Sequence, residues 1–282
     1  MSFSNRIRKN KFVTRWIVAL WLFTIGAAIA ASGQASGAEQ GKRMVRVAAA
    51  ADLKLPLEEI GREFEKKSGI VVQPSFGASG TLFSQIVNGA PFDVFMSADA
   101  DYPRKLAEAG QAVANTIRPY ARGTLVLWMS RAWQEGHGSN KQADNLQVLL
   151  DPSVTRISIA NPLHAPYGKA AEAALRSAGI LDRIRPKLVT AENVAQAAQF
   201  VDSGNVEAGL VALTAVVSKK DATKWLEVPR DLYPPIEQSA IVTRGGQNNP
   251  GASQFVEFLG SEVAQKILRR YGFSEVSKLP KP

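Results

Sequence analysis

Four segments place small or polar residues between the end of a predicted strand and the start of a predicted helix. They are Ala50-Ala51-Asp52, Gly77-Ala78-Ser79-Gly80, Pro166-Tyr167-Gly168 and Ala191-Glu192-Asn193-Val194. The first turn of a helix carries backbone N–H groups with no partner inside the helix. The helix dipole adds roughly half a positive charge at that end. Such ends hold anions without Lys or Arg. In α/β sheets they also line the crevice at the carboxyl ends of the strands. Junctions that converge on one cleft would form a cage of neutral donors, with the hydroxyls of Ser79 and Tyr167 added to the main chain. A cage of this kind suits a small, doubly charged, tetrahedral oxyanion that must later be released.

Each junction alone also has a plainer reading. Gly77-Ala78-Ser79-Gly80 reads equally as a turn and helix cap, Asn193 as a cap, and Tyr167 as a packing residue. Recurrence at four junctions favours the anion. Asp52 cuts against it, because a carboxylate aimed at a dianion repels it. At that junction the backbone must do the binding, with the side chain turned away, for instance to cap its own helix. No enzyme motif is present: no Gly-x-Ser-x-Gly elbow and no phosphate loop. His137 and His164 lack metal-type partners at close spacing. A hydrolase assembled from Ser79 and His164 is a remote alternative.

The elements that position these junctions alternate. Met44 to Ala51 reads as a strand and Leu53 to Lys67 as a helix. Ile70 to Phe76 is a strand, Leu82 to Val87 a helix, and Phe92 to Met96 a strand. Asp99 or Asp101 caps the next helix. Gly123 to Ser130 is a strong strand, and Arg131 to Asp144 reads as a surface loop. The alternation then resumes through strands at Arg156 to Ala160, Lys187 to Thr190 and Val206 to Leu213. Helices are expected at Gly168 to Ala178 and Asn193 to Val201. Ala240 to Val242 is a strand, followed by two C-terminal helices. The pattern predicts an α/β protein of two lobes, each a mostly parallel sheet flanked by helices, with the ligand cleft between them. Residues 39–122 plus 238–282 form the first lobe and 123–237 the second.

Residues 1–38 differ from the rest. Arg6, Arg8, Lys9, Lys11 and Arg15 precede an apolar run from Trp16 to Ala31, and small residues follow up to Ala38. This is the layout of a cleaved secretory signal, with Ala38 or Ala30 at the cleavage site. The run is shorter than the roughly 20 residues of a spanning helix. Those five positive charges account for much of the net +9, and the remaining excess of +4 is no nucleic-acid footprint. The chain has no cysteine, which excludes disulfides, thiolate sites and lipid attachment through an N-terminal cysteine. The expected product is a free periplasmic protein.

Several collinear segments resemble the periplasmic molybdate-binding proteins of ABC importers. They are Val47-Ala-Ala-Ala-Ala-Asp-Leu53, Phe76-Gly-Ala-Ser-Gly80, Asn88-Gly-Ala-Pro-Phe-Asp-Val-Phe95, Ser97-Ala-Asp99, Asn161-Pro-Leu-His-Ala-Pro-Tyr-Gly168, Glu192-Asn-Val194, Asp231-Leu-Tyr-Pro-Pro-Ile-Glu-Gln238 and Arg270-Tyr-Gly-Phe273. The resemblance implies a type II periplasmic-binding-protein fold that closes on molybdate or tungstate. It implies no enzyme activity, no cofactor, and molybdenum bound only as its oxyanion. The expected partner is a membrane permease, and the expected state a monomer that binds no nucleic acid. The binding residues carried over are Ala51, Asp52, Ser79, Tyr167 and Val194. Two positions depart from the family. Asp52 stands where Ser, Thr or Asn is common, and Ala212 where some members place a ligand-binding tyrosine. Tyr167 then supplies the phenol. Sulfate or phosphate on the same fold is the alternative ligand.

Overall fold

The computed structural model describes residues 43–137, 145–217, 219 and 225–276. The expected leader lies outside the described residues. From Met44 onward the chain builds two five-stranded sheets. The first lobe opens with β1 (Met44–Ala50), a 3₁₀ turn at Ala51–Leu53, α1 (Lys54–Ser68), β2 (Val71–Gly77) and α2 (Ser79–Val87). It continues through β3 (Val94–Ser97), α3 (Asp101–Glu108) and β4 (Arg118–Gly123). The chain then enters the second lobe: β5 (Leu125–Met129), α4 (Arg131–His137), β6 (Ile157–Ala160), α5 (Pro166–Ser177) and α6 (Leu181–Ile184). β7 (Leu188–Ala191), α7 (Val194–Asp202), β8 (Ala208–Ala212), α8 (Leu213–Val217) and β9 (Trp225–Glu227) complete it. The chain returns to the first sheet with β10 (Ile236–Val242), followed by α9 (Pro250–Phe258) and α10 (Glu262–Arg270).

The strand orders are β2-β1-β3-β10-β4 and β7-β6-β8-β5-β9. β1 runs parallel to β2 and β3, and β6 parallel to β7 and β8. β10 is antiparallel to β3 and β4, and β5 to β8 and β9. The two-lobed α/β reading stands: in each sheet four strands point one way, and β10 in the first and β5 in the second run against them. The cause is the crossing itself. β5 and β10 each arrive from the other lobe, so no strand-helix-strand crossover sets their direction.

Burial explains the regular elements. The central strands β3, β5, β6 and β8 are buried at every residue, as strands covered on both faces must be. Leu57, Ile60 and Phe64 form the buried stripe of α1, and Phe64 packs edge-on against Phe255 of α9 at 5.2 Å between ring centres.

Three local differences from the sequence reading have physical causes. The expected loop from Arg131 begins as helix α4, because Trp133 is buried and stacks on His137 at 4.5 Å. Positions 138–144 of that loop lie outside the described residues. β4 escapes the pattern because it contains Pro119 and Gly123, yet it forms the edge of its sheet, where a missing N–H is tolerated. α2 and α5 start earlier than their apolar spacing suggests, at Ser79 and at Pro166, a residue suited to a first turn. Ser79 and Tyr167 therefore sit inside first turns, not ahead of them.

Candidate functional site

The four junctions meet. A cavity of about 10 Å³ is lined by Ala51 and Asp52 after β1, Ser79 at the start of α2, Tyr167 in the first turn of α5, and Val194 at the start of α7. Ala98, Ala165 and Asn193 complete much of its wall. None of the lining residues is Lys or Arg. The volume is at the threshold for one enclosed water. Larger grooves of about 420 Å³ and 550 Å³ share part of this lining, the first through Ala98 and Pro166 and the second through Ala51, Asp52, Asn193 and Val194.

Each junction presents donors in its own way. Ser79 is fully buried, and its Oγ accepts the Ala98 N–H at 3.0 Å. That bond fixes the oxygen and leaves the hydroxyl proton to donate. Asn193 is the cap the sequence suggested: its side chain takes the N–H groups of Ala195 and Gln196, both at 3.1 Å. The N–H of Val194, one residue earlier, has no partner inside the helix. In α5, Pro166 brings no N–H, and Gly168 and Lys169 donate to the Ala165 carbonyl. Tyr167 contributes its phenol from a site that is 2% exposed. Burial, reinforced by the Asp52 carboxylate, pushes the Tyr167 pKa well above the ordinary tyrosine value, so the phenol stays a donor.

Asp52 does not cap its helix; the 3₁₀ turn has no side-chain cap. Its Oδ2 accepts the Gln238 side-chain N–H at 2.6 Å, and Gln238 in turn accepts the Tyr120 hydroxyl at 3.0 Å. This chain of bonds runs into the floor of the first lobe, on β4 and β10 beside the crossing. Burial pushes the Asp52 carboxyl up to about 6, against the opposing pull of Tyr167 and Gln238. Tyr167 is near enough to exert that pull, yet neither its Oη nor Asp52 Oδ1 has a hydrogen bond of good geometry.

Two further contacts join the lobes at the cage. The Gly80 N–H donates to the His164 carbonyl at 2.8 Å. Lys169 Nζ stands 3.8 Å from Asp99 and over the Tyr102 ring at 5.4 Å. Gln238, Tyr120 and Gly123 are site residues that sequence reasoning missed. Gln238 lay in a recognised segment, but no spacing ties it to Asp52, 186 positions away. Gly123 matters by what it lacks: a Cβ there would overlap the Tyr167 hydroxyl.

Residues 45–274 match the family described as bacterial extracellular solute-binding protein. This chain belongs to that family. Among relatives of this solute-binding protein, the molybdate-binding protein ModA of Azotobacter vinelandii is 41% identical, over 81% of this chain and 89% of its own. The molybdate-binding protein ModA of Rhodobacter capsulatus is 38% identical, over 81% and 87%. The solved structure of the Azotobacter vinelandii periplasmic molybdate-binding protein matches with a TM-score of 0.75 at 33% identity, covering 84% of this chain and all of that one. Solute binding therefore frames the site. Among the described residues no cluster of three or more His, Cys, Asp or Glu is arranged for a metal ion, and no helix is long and apolar enough to cross a membrane.

Proposed function

We propose that this solute-binding protein captures molybdate, accepts tungstate in the same cage, and passes the ion to an ABC-type permease. The single observation that carries the reading is the cage. Ala51, Asp52, Ser79, Tyr167 and Val194, spread over two lobes, line one small cavity without a cation. A dianion stripped of water needs replacement donors, and main-chain N–H groups with two hydroxyls supply them. The relatives named for molybdate support the choice of ion. The five cage residues are the proposed contacts, with Ala51, Asp52 and Val194 acting through their backbone. The protein works as a periplasmic monomer once residues 1–38 are removed, and it binds rather than catalyses.

Sulfate and phosphate are the alternative ligands. A protonated phosphate needs a buried acceptor, and Asp52 is the one carboxylate lining the cage. The hydrolase alternative gains nothing from the geometry. Ser79 Oγ is held by a backbone N–H, and the exposed His164 meets α2 through its carbonyl. Titration calorimetry of the mature protein against molybdate, tungstate, sulfate and phosphate tests the proposal. Tight binding of the first two is expected. Micromolar phosphate binding with none of molybdate overturns it.

A further inference from the structure

Two buried polar atoms in the cage, Asp52 Oδ1 and Tyr167 Oη, make no well-aligned hydrogen bond, although the two side chains lie close enough to influence each other. Both residues line the cavity, and each acts on the proton of the other. Buried polar groups left without a well-formed hydrogen bond are costly and rare, so such a pair calls for a reason. Building on the oxyanion reading, we infer that capture of the ion is coupled to uptake of one proton from solvent by Asp52. The proton sits on Oδ1 and donates to Tyr167 Oη, and the Tyr167 O–H turns its own proton to the ion. Asp52 thereby changes from a repelling charge into the base of a donor relay: carboxyl to phenol to oxyanion. The covalent balance is one O–H bond made at Asp52 Oδ1 and one broken in a solvent hydronium ion; every other change is a hydrogen bond.

The surroundings make the protonated form the natural partner of a dianion. From β4, Asp52 is faced by Tyr120; from β10, by Gln238; from α5, by Tyr167. From α7 the wall is Asn193 and Val194, and from α8 the neighbour is Thr214. None of these carries charge. Lys54 of α1 lines the adjoining groove with an exposed side chain, and Lys219 in the same groove is paired with Asp202 at 2.6 Å. A carboxylate and a dianion enclosed together in this cage would repel with little screening. Gln238 can hold Oδ2 in either state, because a neutral carboxyl keeps that oxygen as an acceptor. Burial already brings the carboxyl to about 6 before an ion arrives, so at neutral pH the proton is cheaply gained.

Calorimetry of molybdate binding in two buffers of different ionisation heat, from pH 5.5 to 8.5, counts the protons. Uptake of about one proton per ion is expected at pH 8, falling toward none at the acid end, with Kd rising up to about tenfold per pH unit above roughly 6. Asp52→Asn should still bind, with no proton uptake and a flat profile. Ser79→Ala should weaken binding at every pH while keeping the wild-type slope. Tight binding by the wild type with no proton uptake, or an unchanged slope in Asp52→Asn, overturns the inference alone. Absence of molybdate binding at every pH overturns the assigned ligand and the inference with it.

Discussion

The Gly80 amide and the His164 carbonyl are joined at 2.8 Å, linking the first turn of α2 in one lobe to the cleft loop of the other. The approach is close because residue 80 has no side chain. A Cβ there would stand 2.8 Å from the His164 oxygen and 2.6 Å from the Tyr102 hydroxyl.

Gly80→Ala should therefore separate two quantities that usually move together. Alanine favours a helix over glycine by about 1 kcal/mol, so the ligand-free protein should be as stable as the wild type or slightly more so. The closed state should suffer, because the loop can no longer reach α2. Stopped-flow measurement should show faster dissociation of molybdate with little change in association. Wild-type dissociation would remove Gly80 from the closure.

Ser79→Ala deletes a hydroxyl that is anchored by Ala98 and free to donate. Loss of one hydrogen bond to a charged group costs roughly 1.5–3 kcal/mol, which is about a ten- to hundredfold rise in Kd. The Ala98 N–H also loses its partner, so a modest fall in stability accompanies it. Titration calorimetry and thermal melting measure the two effects separately.

Asp52→Asn should reshape stability against pH without any ligand. The folded-state pKa of about 6 lies above the ordinary 3.8, so the folded protein holds this proton more tightly than the unfolded chain. Wild-type stability is therefore greatest below the lower value and declines as pH rises toward the upper one, by roughly 3 kcal/mol in all. Asparagine carries no charge and removes that decline. Urea unfolding at pH 4 and pH 8 should give a larger gain for Asp52→Asn at pH 8. Equal gains at both values would contradict the assignment.

Lys169→Met removes the ion pair with Asp99 and the contact over Tyr102. Half of the lysine side chain is exposed, and such pairs contribute up to about 1 kcal/mol. Affinity should fall less than about fivefold, and the loss should shrink in high salt. A larger, salt-independent loss would give Lys169 a direct part in holding the ion.

Much of the candidate site was legible because its lining residues lie at strand-to-helix junctions, and local sequence marks those junctions. Ala51, Asp52, Ser79, Tyr167 and Val194 were named from local pattern and family likeness, and all five line one cavity. What local pattern conceals is distance. The partner of Asp52 is Gln238 on a strand from the far end of the chain, and the space for Tyr167 comes from Gly123 on an edge strand that proline and glycine disguise. The reversed strands β5 and β10 went unmarked for the same reason, since they take their sense from the crossing. The helix starts at Ser79 and Pro166 were placed late because apolar spacing reports the buried stripe of a helix, not its first turn.

β10 lies between β3 and β4, so the first sheet has a gap until residues 236–242 arrive. The second lobe is made from one uninterrupted stretch and has no such wait. During synthesis from the amino end, the lobe begun first is thus the lobe finished last. Gln238 travels on that late strand, so Asp52 meets its partner only when nearly the whole chain is present.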